Sequence, residues 1–127
     1  MVRPSPNSTF GWVHFVIPTP VISDGVRLNA ESALIRFATG SDATITSLHV
    51  YDGEKKIVDA NGLSLKGGLQ MYRPAVPGRP DVLWGTVISL GVTFNRWGEN
   101  AWVSFVSAGI DFYRKCDTAA VWVDKIC

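Results

Sequence analysis

The sequence predicts an all-β domain, an antiparallel β-sandwich of jelly-roll type with about eight strands. Apolar residues recur with period two in short runs, and Gly, Pro, Asn and Asp separate those runs about every 8–12 residues. No stretch holds a sustained helical period. With 127 residues, 46% hydrophobic and 18% charged, the chain is long and apolar enough to bury one core.

Residues 1–9, MVRPSPNST, read as a flexible tail, and 10–127 as a single domain. Phe10–Ile17 is the first strand. Pro18-Thr19-Pro20 breaks it, because proline removes a ladder donor, and marks a corner where the chain changes sheets. Val21-Ile22 resumes the strand and Asp24-Gly25 turns it. Ala33–Thr39 alternates, Gly40-Ser41-Asp42 turns, and Ala43–Tyr51 follows, so the two runs read as a hairpin. Within the second run the parity slips between Ile45 and the pair Leu48 and Val50. A β-bulge near Thr46-Ser47 would return all three to one face. Asp52-Gly53 turns into Lys56–Val58, and Ala60-Asn61-Gly62 turns again towards Leu63–Leu65.

Lys66–Asp81 is irregular, with Pro74, Pro77 and Pro80, and reads as a crossover over one end of the sandwich or as a functional loop. Val82–Phe94 is the longest strand candidate. Trp84, Thr86, Ile88, Leu90, Val92 and Phe94 share its core face by parity. Gly85 and Gly91, on the opposite face, predict the close approach of a bulky side chain or another backbone. A polar loop, Asn95–Asn100, leads to Ala101–Ser107. Ala108-Gly109 interrupts, Ile110–Tyr113 continues, Arg114–Thr118 turns, and Ala119–Val123 closes the domain.

Twelve basic against eleven acidic residues give a net charge of +1, which argues against an electrostatic nucleic-acid binder. No run of 18 apolar residues exists, so no membrane span is expected. The N-terminus has no signal-peptide core, which points to the cytoplasm, or to secretion only if a leader was removed. Nucleophile-elbow, P-loop, dinucleotide, HExxH and CxxC patterns are all missing, so no cofactor and no metal are expected. Cys116 and Cys127, the only cysteines, fit no metal spacing; they are free thiols or a disulfide closing the C-terminal segment, structural either way.

Several ionisable residues lie inside apolar runs. His14 shares a face with Trp12 and Val16; His49 opposes Leu48 and Val50. Each is a solvent-face strand residue or, with a proton affinity tunable around neutrality, an acid, a base or a ligand. Asp111 shares a face with Gly109 and Tyr113 and is either solvent-facing or a ligand-facing carboxylate. Asp24 and Asp52 precede glycine and read as turn residues. Five tryptophans is a high count for this length. Trp97, in a polar loop, either stacks on a ligand or plugs the end of the sandwich. Trp102 and Trp122 oppose the aliphatic faces of their strands, which a subunit contact would explain.

The stretches WVHFVIPTPVISDGVRL, SLHVYDGEKKI, SLGVTF and SAGIDFY resemble a family of small uncharacterised bacterial all-β proteins over most of Trp12–Tyr113. That resemblance implies a jelly-roll-like sandwich and no catalytic residues.

The leading functional expectation is a non-catalytic binding module for a carbohydrate or small apolar ligand, with Tyr72, Arg73 and Trp97 as contacts. The alternative is a small β enzyme of cyclase or isomerase type, using His14 or His49 with Asp111 or Tyr51 for acid–base chemistry in an apolar pocket. A third reading is a structural subunit forming homo-oligomers through the Trp102/Trp122 surface.

Overall fold

In the computed structural model, which describes residues 1–5, 9–19, 22–23 and 26–114, eight strands form two antiparallel sheets with no helix among them. The strands are β1 (Phe10–Ile17), β2 (Ile22–Ser23), β3 (Val26–Thr39), β4 (Ala43–Asp52), β5 (Lys55–Ala60), β6 (Gln70–Tyr72), β7 (Thr86–Phe94) and β8 (Val103–Arg114). The first sheet has the order β1-β7-β4-β5. In the second, β3 pairs with β8 over most of its length and with β2 and β6 at either end.

Alternation builds the core between them. Ile45, Leu48 and Val50 of β4 are fully buried, as are Ile88 and Leu90 of β7 and Ala33, Ile35 and Phe37 of β3. Burying about a dozen such side chains, each worth roughly 1.5–3 kcal/mol, drives the sheets together. The register of β4 on β7 shifts between Ile45 and Ser47, where the parity slip predicts a bulge. Strand β1 matches its expected bounds and the β4–β5 hairpin forms at Asp52-Gly53. Asp24-Gly25, Trp122, Ala119–Val123 and both cysteines lie outside the described residues.

Four expectations are corrected. The runs before and after Gly40-Ser41-Asp42 do not form a hairpin, since β3 and β4 belong to different sheets. The turn bonds instead to the 95–102 loop: Gly40 N–H donates to Trp102 O (3.0 Å) and Asp42 N–H to Asn100 O (3.1 Å). Gly40 is pressed so closely there that a Cβ would meet the Asn100 carbonyl and lie 2.6 Å from Trp102 Nε1. Second, Lys66–Asp81 does more than cross an end. After Leu65 bonds to Ile45 in the first sheet, the chain runs along β3, pairing Gln70 with Phe37, Ala75 with Ser32 and Asp81 with Asn29. It is an edge strand interrupted by prolines. Third, β8 passes unbroken through Ala108-Gly109, because β3 offers a ladder along its whole length.

The fourth correction concerns Trp84, which is not core but 77% exposed. Strand β7 starts only at Thr86, and Gly85, with φ at 148°, breaks the parity ahead of it. The cause is Asp52. Its buried carboxylate accepts the N–H groups of Leu83 (2.8 Å), Trp84 (2.9 Å) and Gly85 (3.1 Å), tying three successive residues to the end of β4. Burial raises this carboxyl, but the three backbone bonds and the nearby Lys55 charge outweigh it and hold its pKa below the ordinary 3.8. Asp52 is thus a structural clamp as well as a turn residue. Ahead of β1, Val2 exchanges backbone hydrogen bonds with Val103 at the start of β8.

Candidate functional site

The outer face of the first sheet carries the candidate site, and its shape follows from the register. Strand β7 lies between β1 and β4, and its outward residues are Val87, Ser89, Gly91 and Thr93. Ser89 pairs with His14 on one side and His49 on the other; Gly91 pairs with Trp12 and Ser47. Neighbouring strands lie about 4.8 Å apart, so small residues on the central strand leave a trough between larger ones on its flanks. Of the two close approaches expected, the one at Gly91 is present, where a Cβ would lie 3.1 Å from Phe10 Cζ and 3.2 Å from Ser47 Cβ. At Gly85 nothing lies within 4 Å of such a carbon, and its positive φ of 148° is what calls for glycine.

Rings lean across this trough. Trp12 and His49 have centroids 5.2 Å apart at 41°. Phe10 meets Trp12 edge-on at 5.5 Å, and His49 meets Tyr51 at 6.4 Å. Together Trp12, His14, His49, Tyr51 and Ser89 line an open depression of about 270 Å³. Trp12 stays 45% exposed despite these contacts, leaving part of the indole available for stacking.

The polar groups have defined partners. His14 Nδ1 lies 2.8 Å from Ser89 Oγ. His49 Nε2 faces two acceptors, Asn61 Oδ1 at 2.8 Å and Asp59 Oδ1 at 3.1 Å. It therefore carries a hydrogen, and in the neutral ring the lone pair falls on Nδ1. The Asn61 amide also donates to Asp59 Oδ1 (2.8 Å), a bond that, with Lys56 and His49 nearby, holds the Asp59 carboxyl below its ordinary value. Lys56 Nζ is 3.6 Å from Asp59 Oδ1 and 5.7 Å from the Tyr51 ring centre. The β4–β5 ladder sets this arrangement, placing His49 opposite Asp59 and Tyr51 opposite Lys56.

The fold therefore brings His14, His49 and Tyr51 together and leaves Asp111 apart. Asp111 lies on the outer face of the other sheet, accepting the Ser32 hydroxyl (2.8 Å) and pairing with Arg73 Nη2 (3.3 Å). These three line a second depression of about 370 Å³ with Glu31 and Arg79, themselves 3.8 Å apart. Tyr72 is half-buried against the core opposite Ile35, and Trp97 is 61% exposed in the β7–β8 loop. The site also takes in Trp12, Ser89, Asp59 and Asn61, which the sequence pattern does not single out as candidates. Among the described residues no three His, Cys, Asp or Glu side chains are grouped to hold a metal ion, and no helix is long and apolar enough to cross a membrane.

Fold and site together define an antiparallel β-sandwich with an aromatic and imidazole-lined trough on one outer face. The chain belongs to a family of unknown function, DUF6623, whose profile matches residues 5–112. Searches of the curated proteins and of the solved structures return no match to it.

Proposed function

We propose that this protein is a non-catalytic binding module for a carbohydrate or a small, largely apolar ligand, held in the Trp12–His14–His49–Tyr51–Ser89 trough. The observation that carries the reading is the pairing of a partly exposed indole with fixed polar groups in one depression. Stacking on Trp12 supplies apolar area, while Ser89 and the two imidazoles offer directional hydrogen bonds to hydroxyls. This moves the contacts away from Tyr72, Arg73 and Trp97, which lie outside that depression.

The test is a glycan-array and small-ligand screen followed by chemical-shift mapping on the full chain. A binder that perturbs Trp12, His49 and Tyr51 and is lost in Trp12→Ala supports the proposal. Ligands that map only to Trp97 or to the Arg73–Asp111 depression would overturn the site, and a screen with no binder would overturn the function.

A second reading, acid–base catalysis, is favoured by the hold of Asp59 and Asn61 on His49 Nε2. Fixing the proton there presents Nδ1 as the base, the orientation general-base catalysis needs. Asp59 would take the place expected of Asp111. Turnover of a bound ligand, abolished in His49→Gln while binding persists, would distinguish this from simple recognition.

A further inference from the structure

A two-sheet sandwich has exposed strand edges, and unpaired edges recruit other chains unless they are protected. Among the described residues, β5, β6 and β8 each carry some protection. Strand β5, at one side of the first sheet, holds Lys55, Lys56 and Asp59 and faces a register shift between Val50 and Tyr51. The β6 edge is three residues long and is followed by Pro74, Pro77 and Pro80. Strand β8 is bonded by Val2 at Val103 and carries Asp111.

Strand β1, at the other side of the first sheet, shows none of these devices along Val13–Ile17 among the described residues. Its sequence, FGWVHFVI, contains no acidic or basic residue other than His14 and no proline. The start of this edge is attended, since Arg3, Pro4 and Ser5 line a small cavity of about 190 Å³ with Phe10, Gly11 and Trp12. The second half, Val13–Ile17, pairs only with β7 among the described residues. Along it Val13, Phe15 and Ile17 are packed against the core yet only partly buried, and Val16 is 79% exposed.

We propose that β1 pairs antiparallel, through Val13–Ile17, with the same strand of a second copy of this chain. The occupant is argued from the edge itself. A strand docking here must be apolar on its inner side, to cover Phe15 and Ile17, and uncharged on its outer side, to lie beside Val16. β1 is such a strand. A two-fold axis perpendicular to the sheet keeps Val13, Phe15 and Ile17 of both copies on the inner side and His14 and Val16 of both on the outer. The two four-stranded sheets become one continuous sheet. The trough, which on the β1 side ends at Trp12 and His14, then gains a flank from the second copy. This pairing stands whatever the trough binds.

The experiment combines sedimentation with amide hydrogen exchange on the full chain, over a concentration range from about 1 μM to about 1 mM, which brackets a modest interface. Expected is a dimer at high concentration, in which the Val13–Ile17 amides that face away from β7 gain about tenfold protection on association. Val16→Lys, a change at an exposed position, places like charges near the two-fold axis and is expected to raise the dissociation constant about tenfold. It should leave the near-UV circular dichroism unchanged. A chain that is monomeric throughout overturns the proposal. So does a dimer whose β1 exchange is independent of concentration, or one that Val16→Lys leaves intact.

Discussion

Trp12 and His49 lie ring against ring, 5.2 Å between centroids, although one belongs to β1 and the other to β4 with β7 between them. They can meet because the intervening strand presents Ser89 and Gly91 beneath them. Small residues in the middle and rings at the sides make the depression, and that relationship yields the first test.

Gly91→Val should fill the floor of the trough. Its Cβ would stand 3.1 Å from the Phe10 ring and 3.2 Å from Ser47 Cβ, so both must give way. A stability loss of about 1–3 kcal/mol in urea denaturation is expected, as for other overpacked sites. Any ligand bound in the trough should be lost with it.

Asp52 should dominate the response to acid. Its folded carboxyl is held below the ordinary value of 3.8, so the unfolded chain takes up the proton first. The stability it contributes is complete above that ordinary value and disappears as the pH falls through the folded one. Asp52→Asn should cost about 2–4 kcal/mol at neutral pH, because three backbone donors lose a charged acceptor. Denaturation midpoints measured from pH 6 to pH 2 should fall less steeply for this variant than for the parent.

His49 should show the Nε2–H tautomer whenever its ring is neutral, since two acceptors face that nitrogen. Nitrogen-15 shifts of the imidazole measure this directly. Removing both acceptors in Asp59→Ala/Asn61→Ala should release the preference while changing stability by less than about 1 kcal/mol, because the group of contacts is largely exposed.

Gly40→Ala should be among the most damaging of single-methyl changes. The added carbon meets the backbone carbonyl of Asn100, which cannot swing aside as a flexible side chain would, and it also crowds Trp102 Nε1. A loss of about 2–4 kcal/mol by thermal or chemical denaturation is the expected size.

Much of this fold was legible because alternation reports burial directly. Ile88, Leu90, Val92 and Phe94 could be assigned to the core from parity alone, and the bulge at Thr46-Ser47 from a break in parity. What parity cannot report is which strands pair. Gly40-Ser41-Asp42 has the composition of a hairpin turn, yet β3 already has partners on both sides, and the turn joins two sheets. Parity misplaces Trp84 because the pattern continues through Gly85 while the strand does not; the carboxylate that redirects it lies 32 residues away.

The candidate site divides along the same line. His14 and His49 were visible as odd residues in apolar strands, but their common row beside Ser89 depends on long-range register. One missed residue had a local signal. With the turn fixed at Asp52-Gly53, counting back along the hairpin brings His49 level with Asp59 once the extra residue at Val50/Tyr51 is allowed for.

The bulge in β4 has a consequence for how the trough arose. Ahead of it the odd-numbered residues face the core, and beyond it the even-numbered ones do, so Leu48 and Val50 point inward while His49 and Tyr51 point out. Were the strand one residue shorter there, the imidazole and the phenol would be driven into the hydrocarbon interior and two aliphatic side chains left in water. A single residue of surplus length decides the sidedness of half the trough. Single-residue insertions or deletions between Thr46 and His49 should therefore be forbidden.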